Sequence, residues 1–318
     1  MKIIFILFIS SSLIFGGTFF DIRKIGTSAE MNALGRQGYL LSNPNVIFEN
    51  PSRLSALKFI NFETFYTTFF DKDFTYFAAS LSQNTRFGAF GFGYMQNSSS
   101  DQANTAIING QDTILGRFNY RNQLYKVGYS YPLFKKFLIG GSLNYFDHSL
   151  FNISGNGLTL DLGLTQKINR VSLALVAKNA LTFKKMTYSN DGTETFPVTL
   201  AASSKIAFRL VHLFSSLEYH KQDDLYFALY GIKFRLKDQF REFWISAGAK
   251  QVIIYDEVRS ILNLGSSLKI FPLTLTVSIE QADYGGSQLQ YFLSLSIAFG
   301  RKNGKRLFDR VNIFKSIL

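Results

Sequence analysis

Strict alternation of apolar and polar side chains is the feature that most constrains how this chain can fold. Residues 158–165 read Leu-Thr-Leu-Asp-Leu-Gly-Leu-Thr. Successive side chains of an extended strand point to opposite faces, so the four leucines share one face and the small or polar residues share the other. The pattern recurs at 211–220, 273–280 and 291–299. The chain is therefore predicted to consist of two-faced β-strands.

Two architectures suit such strands, and alternation alone does not separate them. In a soluble sandwich the apolar face packs against a second sheet and the polar face meets water. In a membrane barrel the apolar face contacts lipid and the polar face lines the lumen. Strand length, the connections and the N-terminus have to distinguish the two.

The N-terminus indicates export. Residues 1–17 hold Lys2, an apolar run and a Gly-Gly pair, the outline of a secretory signal peptide. A retained membrane helix is the alternative, although the run is shorter than the roughly 20 residues that span a bilayer. No comparable run follows, so an exported chain that crosses a membrane is expected to do so as a closed barrel, in the bacterial outer membrane.

Composition supports a β-rich exported protein. Aromatic residues make up 16% of the chain and charged residues 18%. The chain has no Cys, which excludes disulfides, zinc–thiolate sites and Cys nucleophiles. The formal net charge of +12 would ordinarily suggest nucleic acid, a partner that an exported chain is not expected to meet.

The segment 60–300 is predicted to form an all-β, up-and-down antiparallel barrel of about fourteen strands. Most of these strands match the ~9–11 residues that a tilted strand needs to cross a bilayer, whereas soluble strands usually run about 5–6 residues. The predicted spans are 60–70, 73–82, 86–96, 123–133, 136–149, 157–168, 170–181, 196–208, 211–221, 224–237, 242–253, 258–270, 273–282 and 288–300.

The connections and charges agree with a barrel. Connections after even-numbered strands are short, whereas those at 97–122, 150–156 and 182–195 are longer and rich in polar residues. This alternation predicts that the short turns, and with them both termini, are periplasmic. Basic residues such as Lys136, Arg170 and Arg209 cluster at the short turns, where their charges can reach water.

Two segments flank the predicted barrel. Residues 18–59 are predicted to form a compact segment with a helix over 28–41, capped by Thr27 or Ser28 and stopped by Asn43-Pro44. Residues 301–318 form a basic tail with the spacing of an amphipathic helix, which could bind anionic lipid or a partner. A tail that packs on the barrel or frays is the alternative.

The N-terminal segment resembles the opening of the PorV/PorQ family of outer-membrane barrels, which are related to the FadL-type channels. The resemblance rests on residues 26–38, Gly-Thr-Ser-Ala-Glu-Met-Asn-Ala-Leu-Gly-Arg-Gln-Gly, and on residues 48–54, Phe-Glu-Asn-Pro-Ser-Arg-Leu. Leu34 and Gly35 replace the family's Met-Gly element. Asn50 and Pro51 match its Asn-Pro, and Ser52 replaces the Ala that follows Asn-Pro in the family. The resemblance implies that residues 18–59 fold into the lumen as a hatch carrying Gly35, Asn50, Pro51 and Ser52.

The polar faces supply further candidates. Lumen-facing polar residues would need partners or water. The candidates are Asn144, Asp161, Lys178, His212, Glu218 and Glu280.

No catalytic set, metal site or cofactor site is predicted. His212, His220 and Glu218 share one strand face, so a two-His metal site is conceivable. His212 and His220 are far apart along the strand, which favours interpreting them as ordinary polar residues of the lumen and not as metal ligands. We therefore expect the chain not to be an enzyme; lipid hydrolysis stays a third and remote alternative.

Two functions remain in view. The first is a FadL-like channel for small hydrophobic molecules, with outer-membrane lipid around it. The second is a PorV/PorQ-like scaffold or shuttle in type IX secretion, with periplasmic or secreted protein partners.

Overall fold

The computed structural model describes residues 19–58, 60–69, 73–108, 111–134, 136–237, 241–254, 257–283 and 287–299. The predicted signal peptide at 1–17 and the predicted tail at 301–318 lie outside these residues.

Within the described residues, fourteen strands form a closed antiparallel ring, and a two-residue strand, β8, is added at the edge of β7. Apart from β8, which pairs with β7, each strand pairs with the next long strand in sequence, so that β7 pairs with β9, and β1 pairs with β15 to close the ring. The predicted barrel is confirmed. The strands are β1 Ile60–Phe69, β2 Phe74–Thr85, β3 Gly88–Ile108, β4 Gln111–Phe134, β5 Phe137–Leu150, β6 Ile153–Ile168, β7 Val171–Tyr188, β8 Thr193–Glu194, β9 Thr199–Ala207, β10 Val211–His220, β11 Leu225–Lys237, β12 Arg241–Ile254, β13 Glu257–Ile270, β14 Leu273–Asp283 and β15 Ser287–Phe299.

The direction of the two faces rules out a sandwich. In β6, Leu162 and Leu164 are 45% and 41% exposed, whereas Thr159 and Asp161 are 0% and 1% exposed. The hydrocarbon face therefore points out of the ring and the polar face points into it. That is the arrangement of a barrel surrounded by lipid.

The predicted loop at 97–122 was wrong. β3 continues to Ile108 and β4 starts at Gln111, so this polar stretch forms a long two-stranded ribbon. Its ladder is interrupted near Ser99 and Asn104. Likewise, β7 runs on to Tyr188 through the predicted loop at 182–195. Backbone pairing extends strands regardless of polar side chains, and composition alone does not show this.

The segment 19–58 holds four short helical pieces: the 3-10 helices Ile22–Ile25 and Pro51–Ala56 and the α-helices Ala29–Ala33 and Val46–Glu49. Ser28 caps the first α-helix, because its Oγ accepts a hydrogen bond from Met31 N at 3.1 Å. The helix predicted over 28–41 is too long. It ends at Ala33 because Gly35 and Arg36 both adopt positive φ, at 68° and 66°.

This segment, called the hatch below, packs inside the ring. Most of its apolar side chains are buried, and Ile47, Phe48 and Leu54 are fully so. The wall makes room for the hatch with glycine: a Cβ on Gly93 would lie 2.6 Å from the Phe48 ring, and one on Gly91 would lie 2.9 Å from Leu54. Within the described residues, no helix has the length and apolar character needed to cross a membrane.

Candidate functional site

The hatch is joined to the wall by buried charges, and Asp161 on β6 is at the centre of the first group. Arg23 of the hatch donates from Nη1 to Asp161 Oδ2 at 2.5 Å and from Nε to Asp21 Oδ1 at 2.9 Å. Lys126 on β4 donates to the same Asp161 oxygen. All four side chains are nearly inaccessible to solvent. Two carboxylates and two cations thus neutralise each other.

Neutral groups donate the remaining hydrogen bonds to Asp161. Its Oδ1 accepts from Asn144 Nδ2 and from the backbone N of Asn179, both at 2.7 Å. The Asn179 side chain accepts from Arg23 at 2.9 Å and donates to Pro197 O at 2.8 Å. Asn144 and Asp161, both predicted as lumen residues, therefore belong to one network with the hatch.

A second group joins the hatch to β7 and β10. Lys178 Nζ donates to Glu49 Oε2 at 2.5 Å, and Tyr39 OH donates to Glu218 Oε1 at 2.8 Å. Glu218 Oε2 lies 3.4 Å from His220 Nε2. The predicted residues Lys178 and Glu218 thus contact hatch side chains.

A third set of contacts joins the hatch to β11 and β14. Arg36 binds Glu280 in a bidentate manner, with Nη2 to Oε1 at 2.6 Å and Nε to Oε2 at 3.0 Å. Asn263 donates to Glu280 Oε2 at 2.8 Å. Lys233 on β11 pairs with Glu30 of the hatch. The hatch is therefore held from several sides of the ring.

The hatch residues implied by the family resemblance lie against the wall. Asn50 Oδ1 accepts from Ser52 N at 3.1 Å, and Asn50 Nδ2 donates to Tyr39 O at 2.9 Å and to Thr165 Oγ1 at 3.0 Å. A Cβ on Gly163 would lie 2.2 Å from Asn50 Oδ1. Asn50 therefore shapes the hatch and fixes it to β6.

Pro51 and Gly35 make the closest backbone approaches. A Cβ on Gly140 would lie 2.6 Å from the Pro51 carbonyl carbon. A Cβ on Gly248 would lie 2.0 Å from Gly35 N, and one on Gly35 would lie 2.5 Å from Ala249 N. Any side chain larger than hydrogen at these wall positions would displace the hatch.

His212 is the predicted lumen residue that lies apart from the other five. Its ring packs on Trp244, with centroids 4.9 Å apart, and it makes no contact with the Glu218–His220 pair. The described residues contain no group of three or more His, Cys, Asp or Glu able to share a metal ion. The conceivable two-His site is therefore not assembled among them.

Opposite charges hold two hatch carboxyls in the ionised form. Burial by itself would raise the pKa of Asp21, but the adjacent Arg23 guanidinium outweighs it and holds that pKa well below its usual range. Burial likewise opposes ionisation of Glu30, and Lys233 lowers the pKa of Glu30 despite it.

Sequence reasoning missed the partners that the hatch supplies. Arg23, Arg36 and Glu49 carry no spacing signal, because their partners are far away in the chain. Lys126 did have a signal: it stands between Tyr125 and Val127, which both face outward, so its charge had to point into the lumen.

An aromatic cluster lies beside the first charge group. The Phe19 ring contacts those of Phe146 and Phe196 with centroids 5.4 and 5.3 Å apart, and Phe146 and Phe196 are 4.7 Å apart. His148 stands edge-on to Phe19 and Tyr188 at 6.0 and 5.7 Å. The rings of the cluster are buried and form part of the apolar core between the hatch and the wall.

The wall between β6 and β7 is irregular next to this cluster. Leu162 pairs with Ala177, but the next pair is Leu160 with Leu181, so β7 carries extra residues there. Asn179, inside this bulge, has φ of 51°. The pairing of β7 with β9 ends at Lys178.

A groove of about 820 Å³ lies on the outer surface beside the bulge. Its rim is formed by exposed side chains such as Tyr131, Leu175 and Leu217, and Gly141 and Ala177 are among its small residues. One irregular piece of wall thus separates an apolar groove outside from an aromatic cluster inside.

Solved structures share this architecture. The toluene transporter TodX of Pseudomonas putida is 14% identical, with a TM-score of 0.61 over 88% of this chain and 98% of that one. The monoaromatic hydrocarbon channel CymD is 11% identical, with a TM-score of 0.61 over 87% and 98%. A Pseudomonas aeruginosa FadL homologue is 10% identical, with a TM-score of 0.56 over 86% and 98%.

This chain has the FadL-type barrel fold. No family model and no curated protein sequence matches it. The likeness therefore establishes the fold, and the resemblance to PorV/PorQ proteins stays a prediction.

Proposed function

We propose that this chain is an outer-membrane channel for small hydrophobic molecules. The fold likeness to TodX and CymD over nearly their whole length carries the proposal. The signal peptide at 1–17, the hatch at 18–59 and the periplasmic position of both termini are parts of it.

The wall at the β7 bulge is the proposed route. An apolar molecule that enters the aromatic cluster near Phe146 would pass the displaced ladder around Asn179 to reach the outer groove near Ala177. The route borders the first charge group, because Asn179 hydrogen-bonds Asp161 and Arg23, and it leaves the ion pair of Arg36 with Glu280 untouched. Neither route nor ligand requires a catalytic residue or a cofactor.

Blocking the groove tests the route. Ala177→Trp would fill the outer groove and should lower uptake of radiolabelled toluene by cells expressing the chain in their outer membrane. Ala249→Trp is the matched control, because Ala249 pairs with exposed Tyr230 on a distant part of the wall. Uptake that both variants leave at the wild-type level would refute the route, and wild-type uptake no greater than that of cells without the chain would refute the channel.

A scaffold in protein secretion is the second candidate. The buried ion pairs of Arg23, Lys178 and Arg36 favour a lumen that stays plugged, as a scaffold requires. Mild solubilisation of membranes should then recover protein partners with the chain, and deletion of residues 301–318 would test the tail. Recovery of the chain alone would argue against this candidate.

A further inference from the structure

Basic side chains gather inside the lumen at its short-turn end. Lys205 on β9 lies opposite Phe214 on β10, and Lys233 on β11 lies opposite His212. Lys205 and Lys233 therefore flank β10 on its inner face. Arg53 of the hatch, Lys233 and Lys167 all lie within electrostatic range of Lys205, and so does the carboxylate of Glu30. We call Arg53, Lys205 and Lys233 the basic mouth.

Two of these cations have no acidic partner. Lys205 makes no hydrogen bond or ion pair within the described part of the chain, and its Nζ lies 5.0 Å from the centroid of Phe214. Arg53 donates only to neutral oxygens, to Leu41 O at 3.2 Å and to Ser42 Oγ at 3.1 Å. Burial lowers the pKa of Arg53 to about 10, so it still carries its charge at neutral pH.

The charge balance defines the missing ligand. Arg53, Lys205 and Lys233 bring three positive charges, and Glu30, paired with Lys233, brings one negative charge. Lys167, which also lies within electrostatic range of Lys205, adds another positive charge, so at least two positive charges remain. The nearby Arg235 is neutralised by Glu242 at 2.6 Å and does not change this balance. Half-buried cations without counter-charges are costly, and a doubly charged oxyanion would remove that cost.

We propose that the basic mouth binds a phosphate group, either free phosphate or a small phosphomonoester. Lys205 offers three ammonium donors, and Arg53 keeps N–H groups beyond those that bind Leu41 and Ser42. Arg and Lys are the side chains that recognise phosphate. Because Arg53 belongs to the hatch and Lys205 to the wall, the anion would bridge the two. The proposal does not depend on the transport function.

Equilibrium dialysis of the detergent-solubilised full-length protein against radiolabelled inorganic phosphate, at fixed ionic strength, tests the site. Wild type should bind phosphate saturably. Lys205→Gln should weaken binding about tenfold, the effect of losing one charge-assisted contact, and Lys205→Arg should retain binding. Trp244 is the only tryptophan of the chain and lies 4.3 Å from Lys233 Nζ, so its emission should change with the same saturation curve.

Lys250→Gln is the matched control, because Lys250 is another lumen lysine set over an aromatic ring, 4.2 Å from Phe227. It should leave phosphate binding unchanged. Competition by glycerol phosphate would identify a phosphomonoester as an acceptable source, and its failure would leave free phosphate. The proposal is overturned if wild type does not bind saturably, if Lys205→Gln binds as wild type, if Lys250→Gln loses as much, or if acetate competes as well as phosphate.

Discussion

Replacing Asp161 with asparagine should release the hatch from the wall by removing one charge. Asp161 accepts four hydrogen bonds, two of them from Arg23 and Lys126, and the Lys126 side chain is 0% exposed. Asparagine has one acceptor oxygen, so about half of these donors would face an NH₂ group instead. One positive charge would also be left without compensation.

The expected loss in the free energy of unfolding is about 3–5 kcal/mol, the usual cost of breaking a buried ion pair by removing one partner. Urea unfolding of the protein folded in lipid vesicles, followed by Trp244 fluorescence, measures it. Asp147→Asn is the control, because the pair of Asp147 with Arg121 is long, at 3.7 Å, and partly exposed. That change should cost less than about 1 kcal/mol.

A compensating variant makes the prediction specific to charge. Lys126→Met combined with Asp161→Asn removes one charge of each sign and leaves Arg23 paired with Asp21. The double variant should be more stable than Asp161→Asn alone. The reasoning is refuted if Asp161→Asn unfolds within about 1 kcal/mol of wild type, or if Lys126→Met brings no recovery.

Two further predictions concern the hatch. Gly248→Ala should destabilise the protein by about 1–3 kcal/mol, since its Cβ would lie 2.0 Å from Gly35 N. Gly141→Ala is the control, because the atom nearest to its Cβ would be 3.6 Å away. Equal urea midpoints for the two variants would contradict the close packing at Gly248. The pKa values of Asp21 and Glu30 are held low in the folded state, so the stability they contribute is complete above the ordinary carboxyl pKa of about 4 and is lost as pH falls through their lower folded values. The free energy of unfolding should thus fall on acidification below about pH 4, and no acid-side decline in urea titrations would count against these ion pairs.

The sequence by itself determined the two-faced strands. Successive side chains of a strand alternate between its two faces, so the leucines and Asp161 of β6 had to lie on opposite faces. The cap at Ser28 was also readable, because it depends on residues three positions apart. Such local rules need only neighbours along the chain.

Only the tertiary structure decided which groups meet across the lumen. Arg23 and Asp161 are 138 positions apart, and nothing in either segment specifies the other. The end of the helix at Ala33, the long ribbon of β3 and β4, and the isolation of Lys205 likewise depend on how the hatch fits the closed ring. The closed ring brings residues that are far apart in the chain within hydrogen-bonding distance. No spacing in the sequence indicates which of them will meet.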